Sequence, residues 1–278
     1  MSVRTLQADV LGAPPRIEIR NPAGSVTLEA LEGADSLDVR VEALESAAEE
    51  LLDEVEIEVS ESDPDRVDSP RRLRISVPER TFSRTPRFAI RVTTPPDATV
   101  RVAVASADVG LRGRFARTEL TSASGDLAAD SCASLQLRSA SGDARIGTVS
   151  GDAVLGSVSG DLRIERADGG LKARTASGDV SVGSAAGTVG IKTASGEVSI
   201  GAIGEGRLKV KSVSGDVTVG VVPGLRLWLD LSTVSGRMNS QLQDDGAAAG
   251  EAAPQLSISI RSVSGDQQIL RAAGAALG

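Results

Sequence analysis

Three decapeptides near the middle of the chain carry almost the same message: RTASGDVSVG at residues 174–183, KTASGEVSIG at 192–201 and KSVSGDVTVG at 211–220. Their motif glycines, Gly178, Gly196 and Gly215, lie 18 and then 19 residues apart. A unit that short cannot enclose a core alone and must stack on copies of itself, as the coils of a solenoid do. Extended outward, the series is Gly125, Gly142, Gly160, Gly178, Gly196, Gly215, Gly236 and Gly265. A second series, Gly151, Gly169, Gly187, Gly206 and Gly224, falls halfway between. Each coil of about 18 residues therefore has two turns and two short strands.

Within the repeats Val180 and Val182, Val198 and Ile200, and Val217 and Val219 alternate with Ser or Thr. The second strand shows the same alternation in Val189 and Ile191, then Leu208 and Val210. That is the period of a half-buried strand. Glycine gives the corner its backbone freedom, and the flanking Ser and Asp bond nearby backbone groups. The expected fold is all-β: a parallel β-solenoid, β-helix-like, with a β-rich N-terminal cap. An antiparallel sandwich also suits short strands with regular turns, but the near-constant half-step favours stacked coils. At the corner, strict alternation from Val210 turns Ser212 and Ser214 inward, whereas a break before Ser212 turns Val213 inward. The sequence leaves both open.

Composition agrees with narrow coils. Aromatics are 1 % of 278 residues, with no Tyr and only Phe82, Phe88, Phe115 and Trp228, so the core must be Val, Leu, Ile and Ala. The net charge of −8 argues against nucleic acid and anionic lipid as partners. Cys132 is the only cysteine, which excludes an internal disulfide. The opening MSVRTLQADV lacks the apolar core of a signal peptide, and no run has the length of a transmembrane helix. A cytoplasmic protein with no direct membrane insertion is expected, with surface or envelope association as the other location.

Residues 1–100 do not keep the 18-residue period and form the expected cap; residues 101–278 form the expected repeat domain. Strands are expected at 16–20, 24–28, 37–41, 55–59, 73–77 and 88–92, with one helical stretch at 46–53. Charge is polarised here: residues 42–65 hold acids and no base, while arginine dominates 66–91. A hairpin of VEIEV (55–59) with LRISV (73–77) would set Glu56 and Glu58 beside Arg74. At the other end, a small-residue insertion at 244–254 accounts for the step of 29 between Gly236 and Gly265, and residues 256–270 read as the last coil.

The chain has no histidine, which removes Ser-His-Asp and Cys-His arrangements and histidine zinc sites. Cys132 has no activating partner. A Ser–Lys pair using Lys172, Lys192, Lys209 or Lys211 is conceivable, but these read as surface residues on strands. Stacking aligns Asp126, Asp143, Asp161, Asp179, Glu197 and Asp216 along one edge. One carboxylate per corner falls short of the six to eight oxygens about a calcium ion, so the column reads as turn capping. Arg138, Arg174, Lys192 and Lys211 each precede one of these acids by five residues and are expected to offset their repulsion. Catalytic, cofactor-binding and metal-ligating residues are accordingly expected to be none.

The repeated S-[AV]-S-G-D motif, with its N-terminal strand region and the Thr94-Pro95-Pro96 passage, resembles the bacterial adhesin-like β-strand-repeat proteins also called Toastrack domains. The resemblance implies a non-enzymatic β-solenoid scaffold of envelope-stress or surface contexts, with no catalytic residues to transfer. The expected function is a structural or protein-interaction scaffold with an unnamed protein partner and possible self-association. The alternatives are a solenoid enzyme acting on a polymer and a calcium-stabilised adhesion module.

Overall fold

A computed structural model of the chain describes residues 2–10, 12–61, 69–78, 85–242 and 255–272. The small-residue insertion at 244–254, the Ala/Gly tail after Ala272 and Phe82 lie outside the described residues. The described chain is nearly all-β and forms two compact units, Met1–Asp143 and Ala144–Gly278.

In the second unit the sequence period becomes the strand register. Leu162 sits beside Val180, Val180 beside Val198, and Val198 beside Val217, all in parallel. The opposite wall repeats the pattern through Leu171, Val189 and Leu208. Each strand thus lies about 4.8 Å from the next coil's copy of itself. The alternating Val and Ile residues, together with Leu208, point into the coil and are fully buried, worth roughly 1.5–3 kcal/mol apiece. The strands Val180–Thr193 and Val198–Lys211 run through the half-period glycines without interruption. The register slips between Ala185 and Gly187, so in these two coils the second corner is a bulge that bends one strand, whereas Leu162–Ala167 and Leu171–Thr175 are two strands with a corner between them, as expected.

The order of the final coils differs from the chain order. Residues 256–270 read as the last coil, yet the strand Gln255–Ser264 lies between Val198–Lys211 and Arg226–Ser235, parallel to both. Likewise Gln267–Arg271 lies between Val217–Val221 and Met238–Ser240. The chain turns at Pro223-Gly224, skips a rung, lays down the outermost coil and returns to fill the gap. Packing explains the arrangement: Leu256, Ile258 and Ile260 are sealed from both sides, while Leu227 and Leu229 in the outer strand stay 37 % and 36 % exposed. Buried Gln267 fastens the outer coil, its amide donating to the Ser232 carbonyl and to Ser262 Oγ at 2.9 Å each.

In the first unit every strand expected from residues 16–92 is present, and Val3–Asp9 is an additional one. Arg16–Asn21 lies in parallel between Arg71–Ser76 and Ala98–Val104, and Ala23–Ala30 between Arg87–Thr94 and Asp108–Ser122. Beyond these, Val3–Asp9, Ser36–Ala43 and Glu56–Glu61 add antiparallel pairings. The hairpin of VEIEV with LRISV forms, with Glu58 opposite Arg74. Arg74 is also within 4.0 Å of Glu18 on its parallel neighbour. The helical stretch is shorter than expected, a single turn at Ser46–Glu49 followed by a 3-10 turn at Leu52–Glu54. It has no base in its last turn and no side-chain N-cap, so little extends it. Phe88 and Phe115 are fully buried in this unit.

Candidate functional site

The corner motif carries the chain's most suggestive chemistry, and its letters bond neighbouring backbone groups in most coils, although among the described residues Thr193 Oγ1 and Ser212 Oγ are buried without a hydrogen-bond partner. The first hydroxyl is buried and closes the corner: Ser122 Oγ donates to the Gly125 carbonyl and Ser139 Oγ to that of Gly142, both at 2.9 Å. Thr175 Oγ1 instead accepts from the Gly178 N–H, also at 2.9 Å. Ser212 takes the same inward place while Val213 is 56 % exposed and Ser214 faces outward, so alternation holds through Ser212 and stops there. The second serine reaches the neighbouring coil, as Ser141 Oγ does to the Ala123 carbonyl at 3.2 Å. The glycine permits contact: a Cβ on Gly178 would stand 2.2 Å from the Gly160 carbonyl oxygen.

The acid completes the stitch. Asp126 N–H donates to Asp108 Oδ1 and Asp143 N–H to Asp126 Oδ1, each at 3.0 Å. In the second unit Asp179 N–H donates to Asp161 Oδ1 at 2.9 Å and Glu197 N–H to Asp179 Oδ1 at 2.8 Å. The rearranged coils continue the pattern, since Asp266 N–H donates to Asp216 Oδ1 and Arg237 N–H to Asp266 Oδ1 at 2.8 Å. These carboxylates therefore bind one coil to the next. Among the described residues no group of three or more Asp, Glu, Cys or His is placed to hold a metal ion. Cys132 is buried, and burial pushes its thiol above the ordinary value, away from the reactive thiolate.

The cations do not lie among the acids. Arg174 is in register with Lys192, Lys192 with Lys211, and Lys211 with Arg261. All four are exposed on one wall of the second unit, with Lys172 and Lys209 on the same face two residues earlier. Among the described residues this row's one ion pair joins Arg261 to Asp230 at 3.4 Å. The expected offset of acid by base fails for a geometric reason. The basic position lies on the straight wall before the corner, and the acid lies past it with its oxygen turned to the next coil's backbone. On the other wall the corresponding outward positions are Ser181, Ser199, Thr218 and Gln268. Sequence reading missed Arg261 as the fourth member of the row, because the 29-residue step hides its place beside Lys211.

The sequence profile of the Toastrack DUF4097 family matches residues 98–202 and again residues 170–270. The chain belongs to the Toastrack DUF4097 family. Its two overlapping matches follow from the 18-residue repeat, which lets one Toastrack profile align in two places. Among solved structures, the chain is similar to a "putative adhesin" from Parabacteroides distasonis, 14 % identical over 97 % of both chains with a TM-score of 0.45. A "putative adhesin" from Bacteroides fragilis is 11 % identical over 96 % of this chain and 97 % of its own, with a TM-score of 0.46. A "putative lipid binding protein" from Parabacteroides distasonis is 12 % identical over 97 % of both chains, with a TM-score of 0.41. No curated relative matches the sequence. No helix of this Toastrack chain, among the described residues, is long and apolar enough to cross a membrane.

Proposed function

We propose that this Toastrack protein is a non-enzymatic scaffold that holds an acidic protein partner against the basic wall of its second unit. The observation that carries the reading is the row Arg174, Lys192, Lys211 and Arg261, four cations on consecutive parallel strands. Like charges on neighbouring strands are unfavourable by a fraction of a kcal/mol per pair, and an acidic surface laid across them would reverse that sign. Exposed lysine and arginine on a regular lattice also steer an acidic partner into register. The corner carboxylates support the non-enzymatic half of the reading, because they accept backbone N–H groups of the neighbouring coil.

The test compares the wild-type protein with a Lys192→Glu, Lys211→Glu variant of unchanged circular dichroism. Wild type should capture an acidic protein from extract of its own cell in a salt-sensitive manner, and the variant should lose at least tenfold in affinity. It should turn over no ester, glycoside, phosphate or peptide substrate. Capture indifferent to the two substitutions, retention of nucleic acid in place of protein, or turnover abolished by one acidic substitution would overturn the reading.

A further inference from the structure

The outermost strand of the second unit, Arg226–Ser235, pairs with Gln255–Ser264 on one side, and no described strand pairs with its other side. Its inward positions Leu227, Leu229 and Leu231 sit in register on the buried Leu256, Ile258 and Ile260. The apolar interior of the coil stack therefore ends at a half-open row of leucines. Trp228, the chain's only tryptophan, lies on the outer face of the same strand and is 59 % exposed. An unpaired strand edge backed by apolar side chains is a template for another strand. By contrast, the edge strand Glu56–Glu61 of the first unit carries exposed Glu56 and Glu58, which discourage such pairing.

The order of residues along the open edge selects its occupant. Residues 225–231 read Leu-Arg-Leu-Trp-Leu-Asp-Leu, a palindrome in chemical character about Trp228. Two copies of this strand, antiparallel about a twofold axis through Trp228, would place Leu225 opposite Leu231 and Leu227 opposite Leu229. Trp228 would meet Trp228, and Arg226 would meet Asp230 twice. The alternation of faces is preserved, so all leucines lie on the core side and the charged residues and Trp228 on the outer side. Directly opposed residues are the interacting unit of an antiparallel pair, where opposite charges and aromatic pairs are favourable. A twofold contact of this kind is self-complementary and closes at two copies. We propose that the Arg226–Ser235 edge binds a second copy of this chain, making a dimer in which the two leucine rows complete one another. This inference stands apart from the basic-wall reading, since it uses a different edge and different residues.

Charge exchange tests it, with the tryptophan as reporter. Wild type should be a dimer by light scattering at micromolar concentration, and its fluorescence should shift to the red on dilution as Trp228 meets water. Arg226→Asp and Asp230→Arg should each be monomeric, because each sets like charges against one another twice. An equimolar mixture of the two should form a heterodimer, and the double exchange in one chain should restore the homodimer with blue-shifted emission. Asp230 also accepts from Ser259 at 3.2 Å and pairs with Arg261 at 3.4 Å in its own chain, and Arg226 too has an interaction within the chain. The mixture and the double exchange therefore separate loss of the contact from damage to the coil. A wild-type protein that stays monomeric overturns the proposal, whether Trp228 proves to be covered by the chain's own residues 243–254 or inserts into phospholipid vesicles. So does a dimer indifferent to both charge reversals, or an open-ended polymer.

Discussion

Along the outer wall of the first unit Arg74, Glu18, Arg101 and Glu119 alternate in sign from one strand to the next. Along one wall of the second unit Arg174, Lys192, Lys211 and Arg261 repeat the same sign. Both rows arise from the same parallel stacking, which brings equivalent positions side by side. In the first unit Arg101 Nε donates to Glu119 Oε2 at 2.9 Å, and Arg117 reaches the other oxygen of the carboxylate at 2.9 Å. That row is satisfied within the unit. In the second unit the stacking multiplies one charge, and its outermost coil leaves leucines half open. The contrast separates a surface that serves the fold from one with chemistry left over for a partner.

The largest effects should come from the corners common to both units. Gly178→Val forces a side chain onto the Gly160 carbonyl and should cost more than about 3 kcal/mol in denaturant melts. Gly265→Val should cost as much, because Gly265 (φ +121°) is enclosed between Gly215 and Gly236, with the Gly215 carbonyl 2.3 Å from its added Cβ. Gly236→Val meets an equally close carbonyl, at 2.1 Å, but lies in the outermost coil, where local opening relieves strain. It should cost about 1 kcal/mol. Were the coils stacked in chain order, Gly265 would be the mild position and Gly236 the severe one.

A smaller effect is confined to the first unit and depends on pH. The hydrogen bond from Arg101, joined by that from Arg117, holds the Glu119 carboxyl below its ordinary value of 4.5. A lowered folded-state value means that the ionised group stabilises the fold above about pH 4.5, and that this contribution fades as pH falls through the folded value. Glu119→Gln should therefore lower the melting temperature at neutral pH, and the gap should close in acid. A gap that is constant with pH would mean that Glu119 acts through packing alone.

Much of this was legible because period and register are the same quantity. The 18-residue spacing of the motif glycines became the pairing of Val180 with Val198, and the alternation of Val and Ser became inside and outside. What stayed hidden is what a period cannot carry. Gly236 and Gly265 each look like the next coil, and only the burial of Leu256, Ile258 and Ile260 on both sides decides that the later one lies inside. The strands before residue 100 alternate equally well in parallel or antiparallel pairs, so 16–21 joining a parallel stack could not be told from 36–43 pairing antiparallel. Val3–Asp9 went unseen because Arg4 takes an inward-leaning position, its guanidinium donating to the Val55 carbonyl at 2.7 Å, which blurs the alternation. The basic row was visible as residues at one motif position. Its meaning was not, because five residues along the chain span a corner and put base and acid on different surfaces.

The contrast between the walls comes down to the sign of two charge reversals, measured as folding stability at low salt, where screening is weakest. Glu119→Arg should destabilise the protein by about 1 kcal/mol, since it sets three arginines together where charges had been paired. Lys192→Glu should stabilise it by a few tenths of a kcal/mol, since it turns the row Arg174, Lys192, Lys211 into alternating signs. Opposite signs, both shrinking as salt is added, are what this account predicts. If Lys192→Glu destabilises the protein as Glu119→Arg does, the basic wall is part of the fold's own charge balance and is not a surface held ready for a partner.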